Sequence, residues 1–438
     1  MPAESRTVQR IAVHAGGTLV GSLAQLTLIA LIARHCAPER WALVMEILAS
    51  VAIFEMASDF GGRFWFGERF ARGYDPRALL RLALAHKAVW TTGMACVALA
   101  AMPSEIPRHI VLLSAAIGCS QPMSDPLLWM LRATGRTDRE AAVALVSRLA
   151  AILGFGALVL SGAPLWMACM AWLATNLFRF GLLRASESRH VPCVPGIQPA
   201  AAVPRLRSSI VESIPLGGAM VLQSIQYRLG TFLVGDGCDP RIVGEYASAF
   251  SLVAASSFVG TSIGATMFGA LVDGAERARS GAMDPSIARL LGRMRLVLVL
   301  VSSIGMIASP AILTVVLGRR SDGALLAMLV LWTGLYFSSA QFGLRLSMSA
   351  RGRAGWDVFA VVVGIGVIMA TKLVDVPCER RAALIATGWC AGELASLGIK
   401  YAVLGRGAIG TRIIALDAVS LGWLVAVASL VWKAVGAR

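Results

Sequence analysis

The chain of 438 residues is 57% hydrophobic and only 15% charged, with a mean hydropathy of +0.72. A soluble globular chain is roughly a quarter charged, so this composition excludes that class and points to helices embedded in a bilayer. The net charge of +15 does not point to nucleic acid, because the cations sit in short loops between apolar runs and not along one polar face.

Thirteen predicted spans follow in chain order. Six come first: Ile11–Ala33, Trp41–Gly61, Leu82–Met102, Ile110–Leu131, Ala141–Gly162 and Leu165–Leu183. The first apolar run flows into a full span, so no cleavable leader is expected. Then Ala185–Ser208, with Pro192, Pro195, Pro199 and Pro204 and no sustained periodicity, reads as an irregular connector. Seven more spans follow: Ile210–Gly235, Val243–Val272, Leu296–Leu317, Ala324–Met348, Trp356–Leu373, Ala382–Leu404 and Ile413–Trp432. The expected organisation is a six-helix bundle over 1–184, a cytoplasmic linker over 185–208, a second six-helix bundle over 209–405 and an additional transmembrane segment over 406–438.

Orientation follows from the loop cations. With the N-terminus in the cytoplasm, 25 Lys and Arg residues fall in inner segments. Outside there are 11: Arg34, Arg40, Arg108, Arg241, Arg319, Arg320, Lys372, Arg380, Arg381, Lys433 and Arg438. Lys87, Arg148, Arg179 and Arg228 lie within spans. Cytoplasmic loops carry the excess of positive residues, so the N-terminus is expected inside. The eight cysteines show no CxxC or CxxCH spacing, so neither a metal centre nor attached haem is expected, and no cofactor is.

The two halves read as copies. Gly16-Gly17 matches Gly217-Gly218, Cys36-Ala37-Pro38 matches Cys238-Asp239-Pro240, and Ala133-Thr134-Gly135-Arg136 matches Ala350-Arg351-Gly352-Arg353. Six spans per copy is an even number, so both copies start on the same side: a parallel repeat with its axis along the membrane normal. Transporters built in this way put substrate between the halves. Cys36 and Cys238 occupy matching outer loops; they either approach each other in one state or are unrelated small residues that never meet.

The seventh span carries the most informative polar pattern. Gly217, Ser224, Arg228, Thr231 and Gly235 share one helical line, and Gln223, Gln226, Tyr227 and Gly230 form the line beside it. A charge within a span almost always faces a bundle interior or a water-filled cavity. Arg228 reads either as a ligand for an anion or as the partner of an intramembrane acid such as Glu55 or Asp125. In the first span His14, Gly17, Gly21 and Gln25 form a matching stripe, open to cavity lining or to helix packing. Arg148 and Arg179 are deeper than loop residues and are further anion ligands or snorkelling cations. Lys87 reads best as an interfacial anchor. Arg63, just after the second span, meets a ligand at the inner mouth or serves the positive-inside bias. Glu55 and Asp125 are candidates for ion coupling, while Asp59 pairs best with Arg63 four residues on.

Val243-Gly244-Glu245-Tyr246-Ala247-Ser248-Ala249 resembles the "vGxYsaA" opening of the eighth helix in bacterial polysaccharide flippases, and Asp59-Phe60-Gly61 resembles their "DLG" at the inner end of the second. That family belongs to the superfamily that includes multidrug and toxin extruders and lipid II flippases. The resemblance covers about the first 400 residues through span count, repeat and linker. It implies an all-α integral membrane protein of two six-helix bundles that flips an undecaprenyl-pyrophosphate-linked oligosaccharide to the outer leaflet of the bacterial inner membrane. Partners implied are the lipid-linked oligosaccharide, the bilayer, and the glycan polymerase and other polysaccharide-assembly proteins. One departure stands out: an aspartate common in the family's seventh helix falls at Gly230 here.

A diphosphate-linked glycan calls for fixed cations and hydrogen-bond donors, which assigns Arg228, Gln223, Ser224, Tyr227, His14, Gln25, Arg148, Arg179 and Arg63 to substrate binding. No GxxxxGK[ST] or HExxH motif occurs, and the outer loops are short. A non-enzymatic transporter is therefore expected. The alternatives are a cation-coupled multidrug exporter, which would favour an acidic cavity, and a membrane glycan polymerase, which would need a large outer loop.

Overall fold

The computed structural model describes residues 20, 24–71, 74–100, 108–133, 137–188, 204–257, 285–318, 321–350, 353–404 and 411–436. Among these every regular element is helical. The helices are α1 (24–35), α2 (Pro38–Asp59), α3 (Gly62–Ala71), α4 (Pro76–Ala100), α5 (Arg108–Ser120), α6 (Asp125–Ala133), α7 (Thr137–Leu160) and α8 (Leu165–Ser188). Then come α9 (Leu206–Gly235), α10 (Pro240–Ala255), α11 (Pro285–Leu317), α12 (Asp322–Ala340), α13 (Phe342–Ala350), α14 (Ala354–Ala370), α15 (Cys378–Leu404) and α16 (Thr411–Gly436). Seven described helices are long and apolar enough to cross a membrane. The protein is an all-α, multi-pass membrane protein.

The chain forms two compact units. Unit one comprises Met1–Leu28 and Glu46–Ser224, and unit two Ile29–Met45 and Ile225–Arg438. In unit one, α3, α4 and α6 close on an aromatic core around Trp65, Phe66, Phe70, Leu80 and Trp129, capped by Leu183 of α8. In unit two, α12 is the central helix, packed against α10, α11 and α15. Lipid is as apolar as leucine, so such helices associate through close packing and polar contacts and not through hydrophobic burial. Small residues supply that closeness. A Cβ on Gly392 of α15 would lie 2.7 Å from the carbonyl oxygen of Gly364 in α14, so only glycine lets these backbones touch.

Two predicted spans are broken. The fourth ends α5 at Ser120, turns through a 3-10 segment at Pro122–Ser124 and resumes as α6. The tenth ends α12 at Ala340 and resumes at Phe342. Each break carries a glutamine, Gln121 and Gln341. Pro122 lacks the amide hydrogen a continuous helix needs. At Gln341 the side chain turns into the bundle, where Nε2 donates to Glu393 Oε2 at 2.8 Å and to the Glu393 carbonyl at 2.9 Å.

Three expectations change. The predicted eighth span reaches Val272, but its described helix ends at Ala255, and residues 258–284 lie outside the described residues. The ninth is longer than expected, beginning at Pro285. Cys238 is bonded to Cys378, with Cα atoms 5.5 Å apart, and Cys36 is in no disulfide. Of the two readings of Cys36 and Cys238, the structure agrees with unrelated residues, since the turns before α10 and α15 adjoin within unit two and pair Cys238 with Cys378.

Candidate functional site: a cluster of intramembrane arginines

In unit one, a polar group is built where α2 stops. Glu55 and Asp59 share a face because they are four residues apart. The helix ends at Asp59 because Phe60 (φ 38°) and Gly61 (φ 76°) both enter the left-handed region. Phe60 is an unusual residue to hold that conformation. Gly61 is required twice, since a Cβ there would also lie 2.9 Å from the Gly217 amide nitrogen. The turn sends α3 off at a new angle and brings Arg63 back over the end of α2.

Arg63 then sits among three carboxylates. Its Nε lies 3.1 Å from Asp59 Oδ2, and its Nη2 lies 3.9 Å from Glu55 Oε1 and 3.8 Å from Asp125 Oδ2. Asp125 is delivered by the break in the fourth span, as the first residue of α6. Asp59 is wholly buried, and its other oxygen accepts from Lys87 of α4, itself fully buried. The sequence reading of Lys87 as an interfacial anchor is therefore wrong. The pair Asp59–Arg63 is as expected. Burying two charges costs several kcal/mol per ion unless they meet, which is why they are found together.

Glu55 and Asp125 stay partly open, with side chains 29% and 20% exposed, and share the one guanidinium of Arg63. Arg148 of α7 and Arg179 of α8 are both within electrostatic reach of Glu55. Arg148 donates to Gln25 Oε1 of α1 at 3.2 Å. The Nε of Arg179 is buried and has no hydrogen-bond partner. The group gathered about Glu55 thus holds Arg63, Arg148 and Arg179 against Glu55 and Asp125. His14 lies outside the described residues.

A separate group of the predicted residues lies in unit two, along α9. The Arg228 guanidinium stands 5.5 Å from the ring centre of Phe250, a cation–π distance. Tyr227 meets Phe250 at 6.2 Å and Trp389 at 5.6 Å. Gln226 is buried against Gly364, and its Nε2 has no hydrogen-bond partner. Gly230 has no room for a side chain, because its Cβ would fall 2.1 Å from the Tyr246 hydroxyl. An aspartate at this position is sterically excluded here. In unit one, Ser224 donates to the Ala52 carbonyl at 3.1 Å, so that hydroxyl serves helix packing. Gln223 is half-buried on the same helix. As for the acids weighed as partners of Arg228, both Glu55 and Asp125 are paired with Arg63.

Sequence reasoning missed a second polar network in unit two. Lys400 lies 2.6 Å from Asp357 Oδ1, Arg345 Nε lies 3.4 Å from the same oxygen, and Ser396 Oγ lies 3.0 Å from Gln341 Oε1. Asp417 of α16 accepts from Arg295 at 2.7 Å and from Tyr336 at 2.6 Å. These partners stand on different helices, so spacing along one helix gives no sign of them.

No protein-family model matches the sequence, and no curated protein does. Solved structures do. The lipid II flippase MurJ in an inward closed conformation aligns over 95% of this chain and 96% of its own, with a TM-score of 0.64 at 10% identity. The likeness is one of fold. The eukaryotic MATE transporter AtDTX14 aligns over 96% of this chain and 99% of its own, with a TM-score of 0.58 at 15% identity. A MOP superfamily transporter from Pyrococcus furiosus, described as having a binding pocket of reverse polarity, aligns over 93% and 96%, with a TM-score of 0.55 at 13% identity. Identities this low establish architecture only.

Proposed function

We propose that the protein is a transporter that moves an undecaprenyl-pyrophosphate-linked oligosaccharide from the inner to the outer leaflet of a bacterial inner membrane by alternating access, with its N-terminus in the cytoplasm. The observation that carries this reading is the arginine group about Glu55, in which the Arg179 Nε is buried and unpartnered. A donor left in that state costs about 1–3 kcal/mol, a cost that an anionic ligand would relieve. Guanidinium forks suit phosphate oxygens because they can bind two at once. Within unit two, Arg228 and Tyr227, beside Phe250 and Trp389, supply a cation and aromatic faces suited to a sugar. Nothing in this reading calls for bond-making chemistry.

A second reading has its own support. Glu55 and Asp125 keep exposed surface, and an aromatic group such as Tyr227–Phe250–Trp389 also suits an organic cation, as in a multidrug exporter. Binding to the purified protein separates the two. A polyprenyl-diphosphate oligosaccharide should bind the native protein at least about tenfold more tightly than the Arg179→Gln variant, the equivalent of one charge-assisted hydrogen bond. Equal binding by both proteins, together with tight binding of a lipophilic cation that Glu55→Gln abolishes, would favour the exporter.

A further inference from the structure

A cavity of about 630 Å3 opens in unit two, where α1, α2, α10 and α11 meet, and none of the α9 residues described above lines it. Its wall includes Arg34 and Cys36 from the α1–α2 junction, Trp41 of α2, Arg241 of α10 and Leu317 at the end of α11. Small-ligand sites commonly span roughly 300–1,000 Å3. The lining carries two guanidinium groups and no carboxylate.

Each cation is held in place. Arg34 donates to the Val315 carbonyl in the last turn of α11, where a helix leaves its final carbonyls unpaired. Arg241 is held by Nε on Glu245 Oε1 at 3.3 Å, and its side chain is still 52% exposed. The other Glu245 oxygen accepts from Ser321 Oγ at 2.6 Å, so this carboxylate is engaged on both sides. Trp41 is 3% exposed, and its Nε1 has no hydrogen-bond partner. The first turns of α2 and α10 and the last turns of α1 and α11 all contribute to the wall, so the helix dipoles oppose one another and the positive charge of the cavity rests on the two arginines. Burial raises the Cys36 thiol above its ordinary value, against the opposing charge of Arg40, so a thiolate does not neutralise the site.

Position adds a further reason. Arginine in an outer loop runs against the positive-inside bias, and two of the 11 outer cations converge on this one cavity. We propose that the cavity binds a phosphate group at the membrane surface, carried by an anionic phospholipid headgroup or by a soluble phosphomonoester. Arg34 and Arg241 grip the oxygens, and Ala33, Pro38 and Leu317 form the apolar wall beside them. The substrate of transport does not enter this inference; only the assignment to the outer leaflet rests on the orientation proposed above.

The test uses full-length protein in nanodiscs containing phosphatidylglycerol and phosphatidylcholine. Native mass spectrometry counts retained lipid, and thermal shift with glycerol 3-phosphate reads a soluble ligand. Arg241→Gln leaves the Arg34–Val315 contact untouched, and its unliganded melting temperature confirms folding, so it decides the matter even if Arg34→Gln does not fold. If a lipid headgroup is bound, native protein retains phosphatidylglycerol over phosphatidylcholine, and Arg241→Gln lowers that preference by about tenfold. If the ligand is soluble, glycerol 3-phosphate raises the melting temperature of native protein alone, and retained lipid is unchanged. Equal lipid preference and equal thermal shift in native protein and Arg241→Gln would overturn the proposal.

Discussion

Asp59 accepts from two cations at once, Lys87 and Arg63, and by doing so fixes the end of α2. Asp59→Asn would strand the fully buried Lys87 without a counter-charge. Removing one partner of a buried pair costs about 3–5 kcal/mol, so the variant's melting temperature in detergent should fall sharply. Adding Lys87→Met should recover most of the loss. A single variant that melts like the native protein would mean the pair is not what holds this turn. Gly61→Ala should also destabilise, through its positive φ and its approach to Gly217. On the loop after α9, hydrogen bonding and charge from Lys372 hold the Asp236 carboxyl below its ordinary value. A depressed carboxylate contributes stability above its unfolded pKa and loses it as pH falls through the folded value. This exposed tie should therefore loosen only in acid, below about pH 4.

Hydropathy made most spans legible, since about twenty apolar residues in a row have few other uses. It did not reveal the breaks at Gln121 and Gln341, because apolar residues resume on the far side of both and the average over about twenty residues hides the interruption. Pro122 was a readable signal for the first; nothing local marked the second, whose cause is a contact with Glu393, 52 residues away. The Asp59–Arg63 pair was readable from its spacing on one helix, whereas Lys87 found its acid on another helix and so was misjudged. Gln341→Leu should cost about 1–3 kcal/mol, because Ser396 and Lys400 lose an acceptor and Glu393 a donor. Thermal melting checks this, and an unchanged midpoint would argue that α12 and α13 are joined by packing alone. The disulfide bears on orientation. Disulfides persist in oxidising compartments, so Cys238 and Cys378 should face outward, as the charge bias also expects. In intact cells, an impermeant reductant followed by an impermeant maleimide should label both. Labelling that appears only after permeabilisation would invert the orientation.

At the scale of the whole molecule, the likeness to MurJ and the MATE transporters gives the arrangement of the helices, and a substrate has to be argued from this chain's own side chains. Under the proposed function, three arginines around Glu55 in unit one and Arg228 in unit two each serve an anionic substrate. Arg228→Ala should insert normally, since losing a midspan charge lowers insertion cost by about 2.5–3.5 kcal/mol on translocon scales. Its transport should fall below that of Arg228→Lys, which keeps charge but loses the planar fork. The most direct measurement reconstitutes the purified protein in vesicles with a polyprenyl-diphosphate oligosaccharide confined to one leaflet. A glycosidase or lectin outside then reads its arrival on the other. Native protein should deliver the glycan, Arg228→Lys less of it, and Arg179→Gln and Arg228→Ala at most a small fraction, each normalised to protein in the vesicles. Equal delivery by native and arginine-substituted proteins, or no delivery above protein-free vesicles, would contradict the account.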